Sequence, residues 1–317
     1  MADFDHRIPE GPFTVRMAND AGIGGHELRK LTDGGVVRRV LRGVYVLAST
    51  PDSVQLRGQA AFLAVSPAAV LCDRTAAWLH GIDVFWAAEL DYPSRLETFV
   101  LPGNSRLTRV EAWGGQRDLA PSDVMEIHGV RVTTPLRTAL DLGCALPRRD
   151  ALAAIDACMR SFGITREAMK RESIRYFRRR GVRQLRALIN LADPAAESPG
   201  ESWTRLEILD SNLPAPQVQW WITRNGRRLY RLDLAYPGMK VCVEYDGQEF
   251  HDSPEAREAD EARRAWLREH GWIVIVVTKD DFSPDGVRRW TEELRRAIES
   301  RRIRLRLRPG RRTPDRL

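Results

Sequence analysis

The sequence predicts an α+β protein in three parts: a winged helix-turn-helix, a mixed α/β middle, and a C-terminal mixed sheet flanked by helices. Three observations carry this. Near the N-terminus, Gly-rich breaks separate two short helical patterns from a β-branched hairpin. The stretch "DPAAESPG", residues 193–200, clusters Pro, Ala and Gly between two helical patterns and marks the clearest boundary. Beyond it the patterns run helix, three strands, helix, strand, helix. The parts are therefore placed at residues 1–50, 51–192 and 198–300, followed by a basic tail at 301–317.

In the first part, "FTVRMANDAGIGGHELRKLTDGG" reads as helix, turn, helix. Gly22, Gly24 and Gly25 make the break, and Gly34 with Gly35 ends the second helix. "VVRRVLRGVYVL" is rich in β-branched residues around Gly43 and reads as a two-stranded wing. The second helix carries His26, Arg29 and Lys30, and the wing carries Arg38, Arg39 and Arg42. Cations on both elements suit phosphate docking. A protein-interaction domain with a solvated basic face would show the same pattern.

The middle opens with two helices broken near Ser66 and Pro67. "ETFVLPG" and "MEIHGVRVTT" read as strands, followed by a helix starting near Thr134 and Pro135. His80 and His128 lie outside any ligand spacing and read as structural. "ALAAIDACMRSF" is an amphipathic helix. Residues 166–186 hold nine basic residues and two acids, Glu167 and Glu172. That stretch is either a phosphate groove or a solvated helix face.

Composition narrows the partners. The 317 residues are 43% hydrophobic, enough for a real core, and carry a net charge of +7 with a pI near 9.6. The balance favours an acidic partner such as DNA. The tail alone holds eight Arg and one Asp, so the rest is formally neutral. Four cysteines (Cys72, Cys144, Cys158 and Cys242) lack CxxC spacing and read as reduced thiols instead of a zinc site. The N-terminus has no signal pattern, and the longest apolar run, interrupted by Pro67, is too short to span a membrane. A cytoplasmic, nucleoid-associated protein is expected.

The third part raises a chemical question. "RLDLAYPGMKVCVEYDGQEFH" places Asp233, Glu244, Asp246 and His251 in and beside two strands that should be internal. Alternation puts Glu244 and Asp246 on one face. A loop from Pro237 to Lys240 would set Tyr236 opposite Val241, and so Asp233 opposite Glu244. Opposed side chains have Cβ atoms about 4.5–5.5 Å apart, where like charges destabilise. Converging carboxylates need a cation or raised pKa values, and Mg²⁺ suits them.

These residues resemble the very-short-patch repair endonuclease family of the PD-(D/E)XK nuclease superfamily. The matching elements are Glu201 and Arg205 in "SPGESWTRL", Gln217 in "PAPQVQ", Asp233, "VEYDGQEFH", "DEARR" and "LREHGWIVIVVT". The resemblance implies a restriction-endonuclease-like fold in which Asp233 and Glu244 bind Mg²⁺ or Mn²⁺. Asp246 would assist, His251 would move a proton, and Glu201 would orient water or metal. Gln217 would position the site, and Arg205, Arg263 and Arg264 would meet nucleic acid. The superfamily lysine two residues after the second acid is Asp246 here. Residues 198–201 also fit a capping box, which accounts for Glu201 without chemistry. The N-terminal part is similar to the winged helix of AbiEi-like antitoxins, and the middle looks like a linker of actinobacterial proteins combining the two.

Three functions follow as expectations. The first is a metal-dependent DNA endonuclease in repair or phage or plasmid defence. The second is a non-catalytic DNA-binding regulator, antitoxin-like, with a degenerate nuclease fold. The third is a protein-interaction scaffold. Homodimerisation and a partner protein stay open.

Overall fold

The computed structural model describes residues 6–65, 68–84, 96–100, 112–247 and 254–306. The α+β class is borne out: helices accompany three sheets, two mixed and one antiparallel. The chain divides into two compact units, residues 1–146 with 161–189, and residues 147–160 with 190–317. Residues 147–160, grouped above with the middle part, thus pack in the second unit.

The first unit opens with β1 (Phe13–Thr14), α1 (Val15–Asp20) and α2 (Gly25–Asp33). The wing follows as β2 (Val37–Leu41) and β3 (Val44–Leu47), in a sheet of order β1-β3-β2. Phe13, Ile23, Leu28, Val37 and Tyr45 form the core beneath the helices. The wing turns tightly at Arg42 and Gly43, where Gly43 takes φ +78°, a conformation glycine adopts without a Cβ penalty.

The same unit continues with α3 (Val54–Ala64), β4 (Val70–Leu71), α4 (Asp73–Leu79), β5 (Leu96–Val100), β6 (Ala112–Gln116), β7 (Val124–Ile127) and β8 (Val130–Thr133). The five strands order as β6-β5-β4-β8-β7. Helix α5 (Pro135–Ala145) starts where the sequence placed it, with Thr134 as N-cap and Pro in the first turn. Helix α6 (Arg148–Phe162) comes next in sequence, most of it in the second unit. Then α7 (Arg166–Glu172), a 3₁₀ turn (Ser173–Tyr176) and α8 (Val182–Leu191) carry the basic stretch. His80 is structural as expected: its Nε2 lies 2.7 Å from the Thr133 carbonyl, and burial holds its pKa below the ordinary value.

The second unit contains α9 (Pro199–Asp210), β9 (Gln217–Arg224), β10 (Arg227–Tyr236), β11 (Val241–Asp246), α10 (Pro254–Glu269), β12 (Ile273–Thr278) and α11 (Pro284–Arg306). The sheet orders as β12-β11-β10-β9, so the acidic hairpin β10–β11 is internal. Asn225 and Gly226, both with positive φ, make the two-residue β9–β10 turn. Strands β11 and β12 run parallel, joined through α10. Val241, Val243, Ile275 and Val277 pack against Ile208 and Trp290. Ala235 and Cys242 pack against Leu267 and Trp272. All four cysteines are free, and all but Cys144 are buried.

Candidate functional site

The first candidate is the basic surface of the winged helix. Arg29 and Lys30 are exposed on α2, and Arg39 and Arg42 are exposed on the wing, Arg42 at its tip. The Arg39 guanidinium rests 5.6 Å from the Tyr45 ring centroid, which pre-positions it while leaving it wet. Arg38 differs: it is half-buried, and its Nη2 donates to the Thr50 carbonyl at 2.9 Å. Glu27, the acid in the first turn of α2, pairs with Arg7. The solvent therefore sees a cationic helix face and a cationic wing tip.

The second candidate is the acid cluster of the second unit. The β10–β11 register pairs Tyr236 with Val241, Ala235 with Cys242, and Leu234 with Val243. Continued by one residue, it sets Asp233 against Glu244, as the loop arithmetic predicts. On the other side, Leu232 pairs with Trp220 and Leu234 with Val218, which sets Gln219 beside Asp233. Gln219, Asp233 and Glu244 thus lie in a row across three strands.

Glu201 joins this row from α9. It is buried, and its Oε2 accepts from the Gln219 amide and the Glu197 backbone N–H, both at 2.8 Å. The Ser198 hydroxyl caps α9 by accepting from the Glu201 N–H at 3.2 Å. The Glu201 side chain bonds Glu197 in place of Ser198, so the two halves of a capping box are not both made. Gly200 lies against the Tyr245 ring, and a Cβ there would collide with it. Burial, then the Glu201 carboxylate and more weakly that of Glu244, push the Asp233 carboxyl up to about 7, opposed by the Tyr245 N–H it accepts at 3.1 Å.

Three expectations are corrected here. Arg205 is buried and faces inward: its Nη2 donates to Asp156 at 2.7 Å, so no phosphate reaches it. Arg263 and Arg264 are turned onto the acids. Arg263 donates to both oxygens of Glu244 at 2.7 and 2.8 Å, and Arg264 donates to Asp246 at 2.7 Å. Gln217 is exposed at the start of β9, and Gln219, two residues on, is the glutamine that meets Glu201. His251 lies outside the described residues. As arranged, the acids do not fit Mg²⁺ or Mn²⁺, because guanidinium groups hold Glu244 and Asp246. Among the described residues, no group of three or more His, Cys, Asp or Glu is placed to hold a metal ion.

Sequence reasoning missed a buried ion network in the first unit. Asp141 accepts from Arg117 at 2.7 Å, Arg137 at 3.0 Å, Arg179 at 2.6 Å and the Tyr176 hydroxyl at 2.6 Å. Asp123 accepts from Arg137 at 2.8 Å and Arg175 at 2.7 Å. The available signal was Arg137 and Asp141 four apart on an otherwise apolar helix. Arg175 and Arg179 belong to the stretch read as a phosphate groove or a solvated face. Here they are counter-ions of buried carboxylates.

A two-helix unit with a three-stranded sheet and a cationic tip defines a winged-helix protein. Residues 2–48 match a family described as transcriptional regulator, AbiEi antitoxin, and residues 68–191 match the AbiEi antitoxin C-terminal domain. The middle, expected as an α/β linker domain, thus matches the model of an antitoxin C-terminal domain. Two uncharacterized proteins of Mycobacterium tuberculosis, from strains CDC 1551 / Oshkosh and H37Rv, are each 34% identical over 254 residues, covering 80% of this chain and 89% of theirs. The chain belongs to one family with these proteins, and parts of it match the models of both AbiEi antitoxin domains. Among the described residues no helix is long and apolar enough to cross a membrane.

Proposed function

We propose that this chain is a DNA-binding transcriptional regulator of the antitoxin type, docking its winged helix on duplex DNA. The observation that carries the reading is the joint exposure of Arg29 and Lys30 on α2 with Arg39 and Arg42 on the wing, within the stretch that matches the regulator family. Such cations fix a helix in register on the phosphates, while base edges supply sequence choice. In this reading the second unit is a nuclease-like scaffold whose acids are neutralised internally by Arg263 and Arg264. The test is a mobility-shift titration with DNA from upstream of the protein's own gene against unrelated duplex. The regulator reading expects tighter binding to the first, lost in an Arg39→Ala/Arg42→Ala variant. Equal binding by variant and wild type would overturn it.

One observation favours a second reading, hydrolysis of DNA. Glu201, Asp233 and Glu244 converge, and Asp233 is pushed up to about 7, where a carboxyl can exchange protons near neutral pH. This reading ranks second because Arg263 occupies both oxygens of Glu244. Incubating supercoiled plasmid and branched duplexes with Mg²⁺ or Mn²⁺ separates the two. Cleavage abolished by Asp233→Ala and by EDTA would establish the hydrolase, and intact DNA that still shifts in the gel leaves the regulator.

A further inference from the structure

Residues 173–180 leave two large apolar side chains in solvent that folding alone does not use. Arg175, Tyr176 and Arg179 turn inward to the carboxylates of Asp123 and Asp141. Ile174 and Phe177 turn outward and are 69% and 71% exposed. Tyr176 supplies the apolar burial of this turn, whereas Ile174 and Phe177 stay in solvent and gain nothing from it.

The turn is also held rigidly. The Tyr176 hydroxyl and Arg179 both donate to Asp141 at 2.6 Å. Gly181, at φ +83°, packs so closely on the Cys144 carbonyl that any Cβ would collide with it. Arg178 adopts φ +64°, a left-handed conformation costly for a residue with a Cβ, and places its guanidinium 5.2 Å from the Phe177 ring centroid. The backbone that carries Phe177 is thus held in place, which lowers the ordering cost when something covers it.

We infer that this turn is a docking surface for an acidic protein partner, with Ile174 and Phe177 as apolar anchors. Lys170, Arg178, Arg180 and Arg183, on the turn and the segments flanking it, are exposed and basic. Charge complementarity selects the partner. The acids of the stretch are Glu167 and Glu172, and Glu172 already pairs with Arg175 at 3.3 Å. Apolar anchors ringed by arginine are the composition of protein–protein hot spots. Duplex DNA would use the arginines but offers no apolar pocket for Ile174. The inference concerns a different surface from the wing and does not depend on the regulator reading.

The test uses the full chain and fluorescence anisotropy with three labelled probes: a peptide alternating Glu or Asp with Leu and Phe, a Glu-only peptide of equal charge, and a duplex DNA. The acidic amphipathic peptide is expected to bind best. Ile174→Ser/Phe177→Ser should weaken it at least about tenfold, in the range of a lost hot spot, and Arg180→Glu/Arg183→Glu should weaken it as well. Neither variant should change the melting temperature, because all four side chains are exposed. Three results would each overturn the inference: no peptide binding, equal binding of the two peptides, or peptide affinity unchanged in the apolar variant. Loss of duplex affinity in the apolar variant, with peptide binding intact, would make the surface a nucleic-acid interface instead.

Discussion

Arg263 of α10 donates to both carboxylate oxygens of Glu244 on β11, at 2.7 and 2.8 Å. Glu244 is almost fully buried, whereas about a quarter of the Arg263 side chain is exposed. The acid that the nuclease resemblance assigns to a metal is thus neutralised from within the protein.

Removing the cation should therefore cost stability. Arg263→Ala leaves Glu244 buried with only the Arg264 guanidinium, 3.8 Å away, as counter-charge. A fully buried pair broken this way costs about 3–5 kcal/mol, and the partial exposure of Arg263 brings the expected loss down to about 2–3 kcal/mol. Adding Glu244→Gln in the same chain should recover most of it. Urea denaturation of the two variants checks this, and equal stability of the single and double variants would show that the pair carries no such load.

Asp233 sets a pH dependence. Its folded pKa, about 7, lies above the ordinary carboxyl value, so the folded state holds the proton more tightly than the unfolded chain. Its contribution is fully present below the unfolded value near 4 and is lost as pH rises through about 7. Asp233→Asn is expected to flatten the fall in stability between those limits. At pH 8 it should melt roughly ten degrees higher than wild type, from about 4 kcal/mol at about 2–4 °C per kcal/mol for a unit of this size. Parallel melting curves across pH 4–8 would remove Asp233 as the titrating group.

The two glutamines of β9 should behave differently. Gln219→Leu deprives buried Glu201 of a donor and is expected to cost about 1–3 kcal/mol. Gln217→Ala, at an exposed position, should stay within about 0.5 kcal/mol of wild type. Thermal melts of both variants distinguish them. A larger loss at Gln217 would restore the positioning role that the motif gave it.

These contrasts show what a sequence can and cannot specify. The opposition of Asp233 and Glu244 was legible because strand alternation and a short loop fix register by counting. The α9 start at Ser198 and the α5 start at Thr134 were legible because capping is local. Arg263 was not placed, because a helical pattern gives its face but not the residue it will meet across the sheet. The choice of Gln219 over Gln217 was hidden too. Both share a strand face by alternation, and Gln219 takes φ +52°, a local departure that nothing in "PAPQVQ" announces. Arg205 looked free for the same reason: its partner Asp156 lies 49 residues away, on a different helix.

The regulator reading is tested most directly by the salt dependence of duplex binding. Each phosphate contact contributes about 0.9 to the slope of log affinity against log salt. Arg39→Ala/Arg42→Ala is expected to flatten that slope by roughly 2 and weaken binding at low salt, while the melting temperature stays unchanged because both side chains are exposed. An unchanged slope with unchanged affinity would contradict the account, and would take the wing off the DNA.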